Sequence, residues 1–238
     1  MAGQRSKKGG IEDKLDWKPN APIFVDRLDA GRQLGEELRL RGYGDEPAVV
    51  LAIPRGGVPV GHAVAQAIGA FLAIIVPRKL PLPSDPDTAF GAVTPDGALL
   101  LDQPLIERVQ LQVEEIKRVA VETLSEARRQ VRTYGDCPPL DLAGKTAILV
   151  DDGLMSGFTT LAAVRAVCRY EPARVVVAVP VGSFSAIDRL KPQVDDLVCL
   201  VEQDDTQDAI ACAYQNFVDL TDDQVRAFLQ DARARRQA

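Results

Sequence analysis

The sequence predicts an α/β fold, a doubly wound and Rossmann-like arrangement with a central five-stranded parallel sheet flanked by helices, plus an inserted hairpin and long helix. Short apolar, β-rich runs recur at 48–53, 71–76, 147–150, 174–181 and 197–201, and runs of this kind suit strands buried on both faces. Around them lie stretches 58–68, 159–169 and 185–191, each long enough for the crossover helix of a right-handed βαβ unit. The alternation breaks once, over 90–135, which marks the insertion.

In chain order, residues 1–22 are expected to form a flexible N-terminal arm, 23–220 the α/β domain, and 221–238 a C-terminal helix. A first helix is expected over 26–41. Residues 77–88 hold four prolines and little periodicity, which predicts a mobile loop projecting from a strand end. Segments 90–94 and 98–101 flank Pro95-Asp96-Gly97, a turn-forming centre that predicts a hairpin. Over 104–134, Leu105, Val109, Val113, Ile116, Ala120, Leu124 and Ala127 recur at spacings of three or four, the pattern of one amphipathic helix. The last helix, 221–236, is expected to be capped by Thr221.

Composition narrows the function classes. Apolar residues make up 46% and charged residues 26% of the 238-residue chain, the balance of a globular protein. Twenty-eight basic against 34 acidic residues give a net charge of -6, which opposes affinity for phosphate backbones, so a nucleic-acid partner is not expected. No run approaches the roughly 18 apolar residues of a membrane span, and the first residues are polar, so no membrane partner and a cytoplasmic location are expected. Cys137, Cys168, Cys199 and Cys212 form no CxxC pair and His62 is the single histidine, so zinc is not expected and the cysteines read as buried, reduced thiols. His62 itself reads as a surface or half-buried helix residue. Gly144-Lys145-Thr146 precedes a strand where a P-loop lysine would open a helix, and Pro139 stands at the motif's first glycine, which excludes that site.

The chemistry concentrates in 147–160, AILVDDGLMSGFTT. A buried strand ends in two carboxylates, Asp151 and Asp152, and strand carboxyl ends face the binding crevice of an open α/β sheet. There the acids can meet a ligand or its metal. The following turn, Ser156, Gly157, Phe158, Thr159 and Thr160, offers backbone N–H groups and hydroxyls at a helix start, where an anion is favoured. The combination suits a sugar phosphate, its diol on the acids and its phosphate in the turn. A strand-end turn alone would explain the acids less fully, and response-regulator receivers place such a pair after their first strand, whereas here it follows the third.

This stretch resembles the phosphoribosyl-diphosphate motif of type I phosphoribosyltransferases, an apolar strand, two acids and then T/S-G-x-T. Ile53-Pro54-Arg55-Gly56-Gly57-Val58, after the first strand, is similar to that family's diphosphate loop, and Val76-Pro77-Arg78-Lys79 falls where the family often places a basic residue. The motifs occur in family order over about 26–200.

The resemblance implies a type I phosphoribosyltransferase fold over 23–220 and an Mg²⁺-dependent transfer of ribose 5-phosphate from phosphoribosyl diphosphate to a small-molecule acceptor. Asp151 and Asp152 would hold the ribose hydroxyls, partly through Mg²⁺, and Ser156 to Thr160 the 5-phosphate. Arg55, Gly56 and Gly57 would cradle the diphosphate, assisted by Lys79 or Arg78, with a non-proline cis peptide at Pro54-Arg55. The 77–88 loop would close to exclude water. Purine-salvage members carry an acid three positions after the second Asp; Met155 stands there, and Phe158 fills a position usually small or polar. The acceptor, expected to be a nitrogenous base, is left unassigned. Tyr214 and Phe217 read either as core or as an aromatic hood for it. A non-catalytic regulator that senses phosphoribosyl diphosphate or a nucleotide is the alternative, and homo-oligomers are compatible with either.

Overall fold

The computed structural model describes residues 22–134, 141–205 and 209–237; Cys137 and all of the expected arm over 1–22 except Pro22 lie outside them. Helix α1 (Arg27–Leu40) precedes β1 (Ala48–Ala52), α2 (Gly57–Ile68) and β2 (Phe71–Ile74). Then follow β3 (Arg78–Leu82), β4 (Asp85–Val93), β5 (Leu99–Leu101), α3 (Gln103–Val109) and α4 (Val113–Thr133). The chain returns through β6 (Thr146–Val150), α5 (Phe158–Cys168), β7 (Arg174–Ser183), α6 (Phe184–Leu190) and β8 (Asp196–Gln203), and ends with α7 (Ala209–Cys212) and α8 (Asp222–Gln237).

The five apolar runs form one sheet in the order β2-β1-β6-β7-β8, and every neighbouring pair is parallel. Alternate residues of each strand serve opposite layers, as the pleat requires. Val49, Leu51, Leu149, Val177 and Val179 pack with Ala163 and Val167 of α5 and Leu190 of α6. Val50, Ala52, Ile148, Val150 and Val176 pack instead with Leu34 and Leu38 of α1, Val64 of α2 and Val225 and Leu229 of α8. Both faces of β1, β6 and β7 are covered, which is why these strands carry no polar face; β8, at the sheet edge, is half-buried. Thr221 caps α8 as expected, its Oγ1 accepting from Gln224 N at 3.2 Å. Among the described residues no helix is long and apolar enough to cross a membrane.

The insertion departs from the expectation in two places. Residues 78–82 are not a loop but β3, the edge of a three-stranded antiparallel sheet, β3-β4-β5. Its alternation lies in Leu80 and Leu82, both buried against Phe90, Ile106 and Val119. Pro81 is tolerated because it sits on an edge strand at a register shift opposite Ala89, where no ladder donor is required. The expected hairpin over 90–101 is present as β4 and β5, Gly91 to Val93 pairing with Leu101 to Leu99.

The single helix over 104–134 is two helices. Gln110 ends α3 with φ 53°, and Glu115 accepts from the Gln112 backbone at 3.2 Å to start α4, half of a capping box that the apolar spacing concealed. Val109 and Val113, placed on the apolar face by spacing, are exposed at this break.

The cysteines also differ from the expectation of burial: Cys168 and Cys212 are exposed and Cys199 is half-buried, all three free. Cys168 closes α5 at its solvent end, and Cys199 lies on the sheet-edge strand β8, covered from one side. Its thiol is pushed up to about 12, chiefly by burial.

His62, expected as a surface or half-buried helix residue, is buried at 7% exposure because α8 covers α2. Its Nε2 lies 3.3 Å from Asp231 and 2.8 Å from Gln66 Nε2. Burial lowers its pKa from the ordinary 6.5, against the pull of Asp231 and with Arg235 acting in the same direction as burial. The folded chain therefore binds this proton less readily than the unfolded one, and stability is lost as pH falls below about 6.5. Thermal unfolding between pH 7 and 5.5 is expected to show the melting temperature of a His62→Leu variant rising relative to the native chain as pH falls. A constant difference would contradict this origin.

Candidate active site

In a sheet of this order the chain leaves β1 toward β2 but leaves β6 toward β7, so the helices diverge between β1 and β6 and open a crevice at their carboxyl ends. Ala52 of β1 pairs with Val150 of β6, and the ladder continues through Ile53 N to Val150 O at 2.9 Å. The segments that follow, 53–57 and 151–157, therefore leave the sheet side by side. They contain the motifs singled out in the sequence.

Their closeness depends on glycine. A Cβ at Gly56 would fall 1.9 Å from Asp152 Oδ2, and one at Gly57 2.6 Å from Val150 O and 2.9 Å from Asp151 Cα. Gly56 has ordinary helical dihedrals, φ -59° and ψ -38°, so space and not backbone freedom requires a glycine there. The Pro54-Arg55 peptide is cis, as the resemblance implied.

Asp152 is held at both ends. Tyr214, buried in the core rather than forming a hood, donates from its hydroxyl to Asp152 O at 2.6 Å. Arg27 donates from Nε to Asp152 Oδ2 at 2.7 Å and from Nη1 to Val218 O at 2.7 Å. Its guanidinium lies 3.9 Å from the centroid of Phe217, so the ring stacks on the arginine that holds the acid. Arg27 was not among the sequence candidates. It stands in register with Ala30, Leu34 and Leu38 on the buried stripe of α1, and a charge on an apolar stripe was the available signal.

The turn before α5 is tethered through its carbonyls. Ser183 Oγ donates to Met155 O at 2.7 Å, and Arg189 donates to Ser156 O at 2.7 Å while stacking 4.1 Å over Phe158. Gly157 adopts φ 71°, a left-handed conformation that glycine takes without penalty. The first N–H groups of α5, over 158–160, have no intrahelical acceptor. Thr159 Oγ1 is buried and lacks a hydrogen-bond partner among the described residues, an orphan that a ligand oxygen would satisfy.

The basic candidates are placed less tightly. Arg55 is exposed, with Nη1 4.0 Å from Asp222 Oδ1 at the start of α8. Arg78 pairs with Glu126 of α4 at 2.8 Å, and Lys79 is exposed beside it on β3. A polar relay links the two arginines: Arg78 reaches Gln130 at 3.5 Å, Gln130 donates to Tyr134 OH at 2.7 Å, and Tyr134 donates to Asp222 at 3.3 Å.

Burial first, and then the neighbouring Asp152 carboxylate, pushes the Asp151 carboxyl well above the ordinary carboxylate range. Such a group gains from an added cation. No cluster of three or more His, Cys, Asp or Glu able to hold a metal occurs among the described residues. Asp151 and Asp152 thus offer two carboxylates, a set that fits Mg²⁺ when substrate oxygens and water complete its shell.

An open α/β sheet with two acids and a helix-opening turn of free N–H groups at its switch point is an arrangement suited to a phosphate-bearing ligand, and comparison with known proteins gives the family. The model of the phosphoribosyl transferase domain matches residues 95–215, which include the acid pair and the 156–160 turn. Two Mycobacterium tuberculosis proteins, each named "Putative phosphoribosyl transferase" (MT0597 in strain CDC 1551 / Oshkosh, Rv0571c in strain H37Rv), are 36% identical over 211 residues. These alignments cover 88% of this chain and 47% of the relatives, so the chain spans about half the length of the curated relatives it matches. The crystal structure of TT1426 from Thermus thermophilus is 35% identical with a TM-score of 0.74, covering 87% of this chain and 98% of that one. The chain belongs to the phosphoribosyl transferase domain family.

Proposed function

We propose that this chain is a phosphoribosyltransferase that moves ribose 5-phosphate from phosphoribosyl diphosphate to a nitrogenous-base acceptor and releases diphosphate. One observation carries the reading: the loop after β1 approaches the acids after β6 so closely that Gly56 has no room for a Cβ beside Asp152. A cradle for diphosphate and a pair of acids for a diol are thereby one site.

In this reading Asp151 and Asp152 accept hydrogen bonds from the ribose hydroxyls. The amides of 156–160 and the orphan Thr159 hydroxyl take the 5-phosphate. Arg55 and the Gly56 and Gly57 amides take the diphosphate, with Lys79 assisting from β3. Arg78 can join them, because an exposed ion pair such as its contact with Glu126 is worth only about 0–1 kcal/mol. Mg²⁺ held by Asp151 and Asp152 with ligand oxygens would supply charge neutralisation of the diphosphate.

Diphosphate departs from C1 with the bonding electron pair, the acceptor nitrogen forms the new bond with its lone pair, and the proton it carried leaves to water. The ribose gains oxocarbenium character as in glycoside cleavage, and the fixed carboxylates stabilise that charge. Positioning supplies the rest of the effect, so no nucleophilic side chain is needed.

Diphosphate release from phosphoribosyl diphosphate should be measured against a panel of purine, pyrimidine and other nitrogenous bases, with and without a chelator. Release with at least one base, abolished by chelation, is the expected result. Binding without release for any base would overturn the transferase assignment in favour of a metabolite-sensing regulator, and absence of binding would overturn the site.

A further inference from the structure

We infer that Arg27 is a positioning residue of the ribose site, fixing which oxygen of Asp152 is turned toward the sugar. The inference rests on the proposed binding of phosphoribosyl diphosphate and assigns a role at that site to a residue outside its motifs.

Asp152 Oδ2 is confined from two directions. Arg27 Nε holds it at 2.7 Å, and the missing Cβ of Gly56 leaves the space it occupies, since that atom would lie 1.9 Å away. Oδ1 is then the oxygen that Arg27 does not hold. The side chains of Arg27 and Asp152 are only 9% and 16% exposed, so solvent screens the contact little.

Arg27 is itself immobilised. Asp26 caps α1 by accepting from Asp29 N at 2.8 Å. The chain just before it is stitched to the C-terminal segment through Phe24 N to Ala213 O, Gln215 N to Phe24 O and Asn216 N to Val25 O, at 2.9, 2.8 and 3.0 Å. The second acceptor of Arg27, Val218 O, lies on that same segment. One planar guanidinium thus serves a carboxylate, a carbonyl and an aromatic face together, which a lysine ammonium cannot reproduce. A charge buried only to hold the fold together would not need its carboxylate partner to be the acid that lines the crevice.

The test is calorimetric titration, in Mg²⁺ buffer, of phosphoribosyl diphosphate and separately of inorganic diphosphate. The proteins are the native chain, Arg27→Ala, Arg27→Lys, Asp152→Asn and the Arg27→Ala/Asp152→Asn double variant. Arg27→Ala is expected to weaken phosphoribosyl diphosphate binding by about 10- to 100-fold, the range for groups that orient a ligating residue. Inorganic diphosphate, which has no ribose and reaches Asp152 only through the metal, should be weakened less than phosphoribosyl diphosphate. Arg27→Lys should recover part of the loss, and the double variant should bind no worse than Asp152→Asn.

Native affinity in both Arg27 variants, equal loss of both ligands, or losses that multiply in the double variant would overturn the inference. Should Arg27→Ala fail to fold, Arg27→Lys decides by the same comparison of the two ligands. Failure of the native chain to bind phosphoribosyl diphosphate would overturn the site reading and this role with it, whereas native binding with unimpaired Arg27 variants would overturn this role alone.

Discussion

Replacing Gly56 with alanine is expected to lower affinity for phosphoribosyl diphosphate by about 10- to 100-fold without unfolding the chain. The new methyl would lie 1.9 Å from Asp152 Oδ2, so one group must move. Overpacking of this kind costs about 1–3 kcal/mol, and each 1.4 kcal/mol is about tenfold in binding. Asp152 cannot turn aside freely, because Arg27 holds the same oxygen. Position 56 already has dihedrals that alanine accepts, so no backbone strain confuses the result. Calorimetry beside a thermal melt checks it; native affinity in the Gly56→Ala variant would mean that the two loops do not act as one cradle.

Neutralising the acid pair is expected to have the larger effect. Asp151→Asn and Asp152→Asn should each weaken Mg²⁺-dependent binding of phosphoribosyl diphosphate more than Arg27→Ala does, and the two together should abolish it in calorimetry, with the variants still folded. Their stabilities should move in opposite directions. The folded chain holds the Asp151 proton more tightly than the unfolded chain does, so native stability falls as pH rises from the ordinary 3.8 through the raised value. Asp151→Asn removes that fall, and its melting temperature should equal or exceed the native one at neutral pH. Asp152→Asn instead leaves the buried Arg27 cation without its charged partner, which should lower the melting temperature. Native metal-dependent affinity in either single variant would remove that acid from the site.

The five parallel strands were legible because each is a short apolar run, and the central ones meet helices on both faces, as at Leu149 and Ile148. Asp151 to Thr160 stood out through residue types, acids and then small polar residues after a strand, whereas Arg55 to Gly57 stood out only through resemblance to a family loop and order along the chain. β3 was not legible, since its prolines mask the alternation of Leu80 and Leu82. The break at Gln110 was hidden because the residues on either side keep a helical spacing across it. Arg27 was missed for a deeper reason. Its partners Asp152 and Val218 lie 125 and 191 residues away along the chain, and no local pattern announces such a contact. His62 was misplaced likewise, because the helix that buries it is formed by the last residues of the chain.

Phosphoribosyl diphosphate joins the two loops only if both face the same ligand, and a crystal structure of the chain soaked with it and Mg²⁺ examines this directly. The ribose hydroxyls are expected against Asp151 and Asp152, the 5-phosphate on the 156–160 amides and the diphosphate along Arg55 to Gly57. A ligand seated elsewhere, such as the cavity of about 980 Å³ beside His62, Gln66 and Lys145 at the opposite end of the strands, would contradict it.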